Sequence, residues 1–146
     1  MKRASALPVI CLFVLSLLFA GCTTYDGQTM SKQQVAPKKK FFVESNLNDN
    51  HAIDHQIEEA IKLRDREAES GPLTMMPDDA QVIITYVDNW TWDFGDHLVY
   101  LQITAKDRRT GTLLATANFK AKIPSSKSLG KIIGELLDRM YAEAKR

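Results

Sequence analysis

The sequence predicts an α+β domain: a two-layer sandwich with two helices on one face of a mostly antiparallel sheet, in the order β-α-β-β-β-α. Three observations predict it. Residues 81–123 hold three runs rich in β-branched and aromatic residues, joined by short polar turns, which is the pattern of an antiparallel meander. One segment before these runs and one after them repeat their apolar residues at helical spacing. A chain of 146 residues has room for one such domain and not for two enzyme-sized ones.

The elements follow in order. Residues 41–44, Phe-Phe-Val-Glu, form a short strand. Asn46, Leu47, Asn48, Asp49 and Asn50 form a turn with helix-capping chemistry. Residues 51–69 predict a helix, with Ile53, Ile57, Ala60, Ile61 and Arg64 along one face and Glu58, Glu59, Lys62, Asp65, Arg66 and Glu67 on the wet side. Ser70, Gly71 and Pro72 stop it, and Pro77, Asp78 and Asp79 mark a second loop.

Residues 81–92 predict a central strand, with Val82, Ile84 and Tyr86 on one face and Ile83, Thr85 and Val87 on the other. Residues 97–106 follow, with Val99, Leu101, Ile103 and Ala105 inward. Asp107, Arg108, Arg109, Thr110 and Gly111 make a hairpin turn with Gly where positive φ is needed. Residues 112–123 complete the meander, with Leu113, Ala115, Ala117, Phe119 and Ala121 on one face. Pro124, Ser125 and Ser126 open the last helix. Its stripe of Leu129, Ile132, Ile133, Leu136, Leu137, Met140 and Tyr141 must cover a sheet face, and Lys145 and Arg146 suit its C-terminus.

The N-terminus reads as an address. Lys2 and Arg3 precede an apolar stretch over residues 6–20, broken only by Pro8 and Ser16. At about 15 residues it is too short to span a bilayer and fits a signal h-region. The run Leu18-Phe19-Ala20-Gly21-Cys22 resembles the lipobox of bacterial lipoproteins, with Phe19 where Leu is usual. That resemblance implies cleavage after residue 21 and acylation of Cys22. Thr23 in place of Asp implies, for a proteobacterial cell, delivery to the inner leaflet of the outer membrane, facing the periplasm. In a Gram-positive cell the same signal means the outer face of the plasma membrane. Each buried acyl CH₂ contributes about 0.8 kcal/mol, so several chains together hold durably. The division expected is therefore a signal over 1–21, a lipidated Cys22 with a flexible polar tether to residue 40, and a single domain over 41–146. Lys38, Lys39 and Lys40 either touch anionic headgroups or form a solvated charge run. Cys11 falls in the signal and Cys22 carries lipid, so the mature chain expects no disulfide.

Charge narrows the function classes. Nineteen basic residues against eighteen acidic ones give a net charge of +1, without the basic excess of a nucleic-acid-binding module. The densest chemistry lies in Asp88-Asn89-Trp90-Thr91-Trp92-Asp93-Phe94-Gly95-Asp96-His97, which gathers both tryptophans, three acids and a histidine in one hairpin. Trp90 and Trp92 share parity and hence a face. They either cap the end of the sandwich, anchor a protein partner, or dip into a membrane interface.

His51 and His55, four apart on a predicted helix, either sit at its surface or join Asp93, Asp96 or His97 as metal ligands; no H-E-x-x-H pattern surrounds them. Ser125, Ser126 and Ser128 read as helix caps, with no G-x-S-x-G elbow. Gly130 and Gly134 serve either helix-on-sheet packing or a contact with another copy. No cofactor, metal or catalytic set is expected.

The lipobox, the tether and a small α+β domain ending in a long striped helix resemble the small outer-membrane lipoproteins of envelope assembly, of the curli-secretion and penicillin-binding-protein-activator types. Residues 86–119 are similar to the meander of uncharacterised lipoproteins of this kind in their Trp-x-Trp-Asp hairpin and Asp-x-x-Thr-Gly turn (Asp107, Thr110, Gly111). The resemblance implies a non-enzymatic envelope protein that binds an envelope partner or its own copies. Asp88, Trp90, Trp92, Asp93, Asp96 and His97 are the candidate binding residues. The alternative is a binder of a glycan, lipid or other small envelope ligand through the same hairpin.

Overall fold

The computed structural model describes residues 23–29, 35, 37–92, 95–122 and 125–141. The expected signal, Cys22 and Asp93 lie outside the described residues. The elements are β1 (Thr23–Thr29), β2 (Lys40–Glu44), α1 (Ile53–Lys62), β3 (Glu67–Gly71), a 3₁₀ turn (Leu73–Met75), β4 (Val82–Trp92), β5 (Asp96–Asp107), β6 (Leu113–Ala121) and α2 (Leu129–Tyr141). One sheet runs in the order β1-β6-β5-β4-β2-β3. Its first four strands are antiparallel, and β2 pairs in parallel with both β4 and β3. The expected α+β sandwich is present, with the meander β4-β5-β6 as its centre. Among the described residues no helix is long and apolar enough to cross a membrane.

Both helices lie on one face. Ile53, Ile57 and Ile61 of α1 and Ile132, Ile133, Leu136, Leu137 and Met140 of α2 are buried against Val43, Ile84, Leu101, Ile103, Ala117 and Phe119. Fully burying such a side chain contributes about 1.5–3 kcal/mol, so the five from α2 contribute on the order of 10 kcal/mol before entropy. That stripe holds α2 in place even though it starts later than its Pro-Ser-Ser signal: the helix begins at Leu129, and Ser125 instead accepts the N–H of Lys127 at 3.2 Å. The opposite face is polar at its centre, where Tyr100, Gln102, Thr104 and Thr116 hydrogen-bond one another.

Several elements differ from expectation. Thr23–Thr29, assigned by its composition to the tether, pairs residue for residue with β6 from Thr23↔Ala121 to Thr29↔Ala115. Backbone pairing and the packing of Tyr25 on Phe119, with ring centroids 5.1 Å apart, hold a segment poor in apolar residues. The predicted helix over 51–69 ends at Lys62. Asp65 takes φ 56°, and the chain then enters β3 as a charged edge strand, where Ala68 faces the core and Glu67 and Glu69 face water. Charge on an edge discourages pairing with other chains.

Two bulges shift the expected faces. Asn89 pairs with Tyr100 but Trp90 pairs with Leu98, so Val99 is the extra residue, and Leu98 is buried rather than Val99. Likewise Ala105 pairs with Ala115 and Lys106 with Leu113, which buries Leu114 where Leu113 was expected.

Gly130 and Gly134 face α1 rather than the sheet: a Cβ on them would lie 3.7 Å from Gln56 Oε1 and 3.6 Å from Arg64 Nη2. Arg64 spans the two helices, donating to the Gly134 carbonyl at 2.8 Å and to Asp138 at 2.6 Å. A methyl at 3.6 Å is ordinary contact. Gly134→Ala is therefore expected to stabilise the domain by about 0.5–1 kcal/mol through helix propensity, measured as a shift in urea midpoint at constant m.

The β5–β6 turn is tied down by one carboxylate. Asp107 Oδ1 accepts the backbone N–H groups of Arg109 and Thr110, each at 3.0 Å, and Oδ2 accepts Lys38 Nζ at 2.9 Å. Gly111 supplies the positive φ of 70°. The Lys38 bond, then the turn N–H groups, hold the Asp107 carboxyl down at about 2. A depressed carboxylate adds stability above its unfolded value near 4, and that stability is lost as pH falls through about 2. The slope of stability against pH between 4 and 2 should therefore be shallower in Asp107→Asn.

Candidate functional site

The pairing that builds the sheet also builds an arm. β4 and β5 pair along their whole length, from Val82↔Asp107 to Trp92↔Asp96. β6 pairs with β5 only from Tyr100 onward, and β2 pairs with β4 only at Val82, Ile83 and Ile84. Beyond Asn89 and Tyr100 the sheet is thus a two-stranded arm carrying Trp90, Trp92, Asp96 and His97. Gly95 takes φ 152° at its turn, a conformation side chains of L-residues avoid.

The tryptophans keep their common parity, because the bulge lies on the β5 side, but their surroundings differ. Trp90 packs on the edge of the core. Its Nε1 donates to Asp88 Oδ2 at 2.8 Å. The His51 ring stacks on its face, with centroids 3.6 Å apart and planes 7° from parallel, and His51 Nε2 lies 3.5 Å from Asp96 Oδ2. Trp92, two residues farther out, is 76% exposed. Asp88 and Asp96 therefore serve Trp90 and His51, His97 sits opposite Thr91, and Trp92 is, among the described residues of the arm, the aromatic it presents.

Asp49 organises the base of the arm. Its carboxylate accepts the N–H groups of His51 at 2.7 Å, Ile53 at 2.6 Å and Asp54 at 3.4 Å, and the hydroxyl of Tyr86 at 2.8 Å. Tyr86 in turn accepts the N–H of Asn46 at 3.1 Å. Burial pushes the Asp49 carboxyl up, but the donors of His51, Tyr86, Ile53 and Asp54 outweigh it and hold it below the usual carboxylate range. Burial, with Asp49 as acceptor, pushes the Tyr86 hydroxyl up. One acid thus caps α1 and fixes the loop that carries His51 to Trp90. Capping chemistry in residues 46–50 was readable in sequence; its partner Tyr86 was not.

His51 precedes the helix, since Ala52 breaks it with φ 52°, and His55 lies away from it beside Ser70. The two imidazoles do not converge, and no group of three His, Cys, Asp or Glu is placed to hold a metal among the described residues. His55 Nδ1 is 3.0 Å from Ser70 Oγ, and Ser70 donates to Glu58 at 2.5 Å. This trio lacks the order of a hydrolytic triad. There the imidazole uses one nitrogen for the serine and the other for the acid, whereas here Nδ1 alone faces both Ser70 and Glu58. The carboxylate also pairs with Lys62, so the trio reads as a bridge from α1 to β3. Three surface depressions among the described residues, of about 380, 430 and 280 Å³, are lined largely by charged residues and include no described residue of the arm.

No protein-family model matches the chain, and no curated protein matches it in sequence. Solved structures share its fold. Two structures of the PelC dodecamer from Paraburkholderia phytofirmans superpose with TM-score 0.59. One is 12% identical and aligns over 83% of this chain and 98% of its own; the other is 11% identical and aligns over 84% and 99%. TolB from Acinetobacter baumannii aligns over 82% of this chain and 31% of its own, at 10% identity and TM-score 0.48.

Proposed function

We propose that this chain is a lipid-anchored, periplasm-facing, non-enzymatic protein of the bacterial envelope that works as an assembly of its own copies. The observation that carries the reading is the likeness of its fold, over 83% of this chain and 98% of the other, to PelC, a protein whose structures are dodecamers. The lipobox at Cys22 supports the anchor, and the two PelC structures support self-association over capture of a different protein. Identical copies joined head-to-tail close into a ring when the rotation between neighbours permits. Among the described residues, the polar sheet face around Gln102, Thr104 and Thr116 and the β1 edge of the sheet are the surfaces that suit such contacts.

A ligand-binding role for the arm has weaker support. Stacking on a sugar needs a bare aromatic face, and His51 covers one face of Trp90, which leaves Trp92 among the described residues of the arm.

The test is the mass in solution of the lipidated protein extracted in mild detergent. A single closed species of many copies by analytical ultracentrifugation is expected. A monomer at micromolar concentration that crosslinks in cells only to a different envelope protein would replace this reading with that of an adaptor.

A further inference from the structure

We propose that the end of the sheet bearing the β4–β5 arm lies against the bilayer that holds the acyl chains, with Trp92 among the lipid headgroups. The inference rests on the lipid-anchored reading and deepens it.

The pairing register carries it. Cys22 directly precedes Thr23, and Thr23 is paired in the sheet opposite Ala121. Lys120, one residue before, pairs with Tyr100 of β5, and beyond Tyr100 only the arm continues, to Asp96 and Trp92. The anchor and the arm therefore leave the domain at the same end. With about 3.3 Å per strand residue, Trp92 stands roughly 10 Å beyond the level of Thr23. From β1 through β6 and β5 to β4 there are three strand spacings, or about 14 Å across the sheet. β2 runs parallel to β4, so the loop after Glu44 heads toward this end too, and it carries His51 to the face of Trp90.

The strand also removes slack. A flexible tether of 15 residues would let the domain wander by about 20 Å and turn freely. With Thr23 in the sheet, the lipidated residue is one peptide bond from a fixed point. A domain held that closely at one edge keeps the arm at its other side within reach of the membrane surface. The headgroup layer is about 5–7 Å deep on each side of the hydrocarbon, a depth the arm can reach.

The chemistry favours lipid as the occupant. An indole with an apolar body and one N–H is the side chain enriched at membrane–water interfaces. Of the described acids nearby, Asp88 accepts from Trp90 and Asp96 faces His51, while exposed Lys122 follows Ala121 beside the anchor.

The test uses the full lipidated protein in vesicles of phosphatidylethanolamine and phosphatidylcholine, some carrying acyl chains brominated near the glycerol end. Trp90→Phe leaves Trp92 as the reporter, and Trp92→Phe leaves Trp90. Bromolipid should quench at least half the Trp92 emission, and iodide quenching of Trp92 should fall several-fold relative to detergent solution. Trp90 should change little in either. The mass of the mature protein reads lipidation separately. Lipid on Cys22 with Trp92 still open to iodide overturns the orientation alone. Trp92 shielded from iodide without bromolipid quenching overturns it in favour of a protein contact. A mature protein without lipid overturns both the orientation and the anchored reading.

Discussion

Asp49→Ala is expected to cost the domain roughly 3 kcal/mol, because the substitution removes a helix cap, worth about 1 kcal/mol, and further hydrogen bonds to a charged group, worth about 1.5–3 kcal/mol. The carboxylate is the common acceptor for three backbone N–H groups and for Tyr86. No other described acid gathers donors from the loop, the helix N-terminus and the sheet at once. With the acceptor gone, the first turn of α1 loses its cap and the hydroxyl of buried Tyr86 loses its acceptor. For a domain of this size the loss corresponds to a fall in Tm of about 10 °C. Asp49→Asn keeps one carbonyl oxygen and should recover part of it.

The sign of the pH effect separates charge from shape. Asp49 is held below the usual carboxylate range, so its contribution is complete above pH 4 and is lost as pH falls through its folded value. The Ala variant should therefore differ most from the parent near neutrality and converge with it in acid. A variant equally destabilised at every pH would assign Asp49 a steric role instead. Chemical denaturation followed by far-UV circular dichroism at pH 7, 4 and 3 reads this.

How far the sequence carries depends on what holds each element. The meander and α2 were legible because each buries its own apolar pattern: Val82, Ile84 and Tyr86 alternate, and the stripe from Ile132 to Met140 returns every three or four residues. β1 and β3 were not legible, since neither has such a pattern. Tyr25 and Ala68 are their inward anchors, and the rest of the stabilisation comes from backbone bonds to strands nearly a hundred and about thirty residues away. The bulges at Val99 and Leu114 were invisible for a related reason: a period-of-two reading assumes unbroken register, and either neighbour of an extra residue can turn inward. The helix over 51–69 was overextended because its charged tail, Arg64 to Glu69, suits a wet helix face as well as an edge strand. At the arm, the residue types were legible but their division of labour was not. That division depends on His51, which a sequence reading placed on a helix and the αL conformation of Ala52 instead turns onto Trp90.

The same division predicts that the two tryptophans, alike in sequence, respond unequally to removal. Trp90→Ala deletes a half-buried ring that packs on the core, stacks on His51 and donates to Asp88. Full burial of such a ring is worth about 3–5 kcal/mol in truncation experiments, so partial burial sets the expected loss at about 2 kcal/mol. Trp92→Ala deletes an exposed ring and should change stability by less than about 0.5 kcal/mol. The double variant would then confound fold with function, and only Trp92→Ala tests what the arm presents. His51→Ala should behave like a weaker Trp90→Ala, uncovering the indole face and releasing Asp96, whereas His55→Ala should leave the arm untouched. Equal destabilisation by Trp90→Ala and Trp92→Ala would mean that Trp92 is buried in the assembled protein, and comparing the two below and above the association concentration would locate that burial between copies rather than within one.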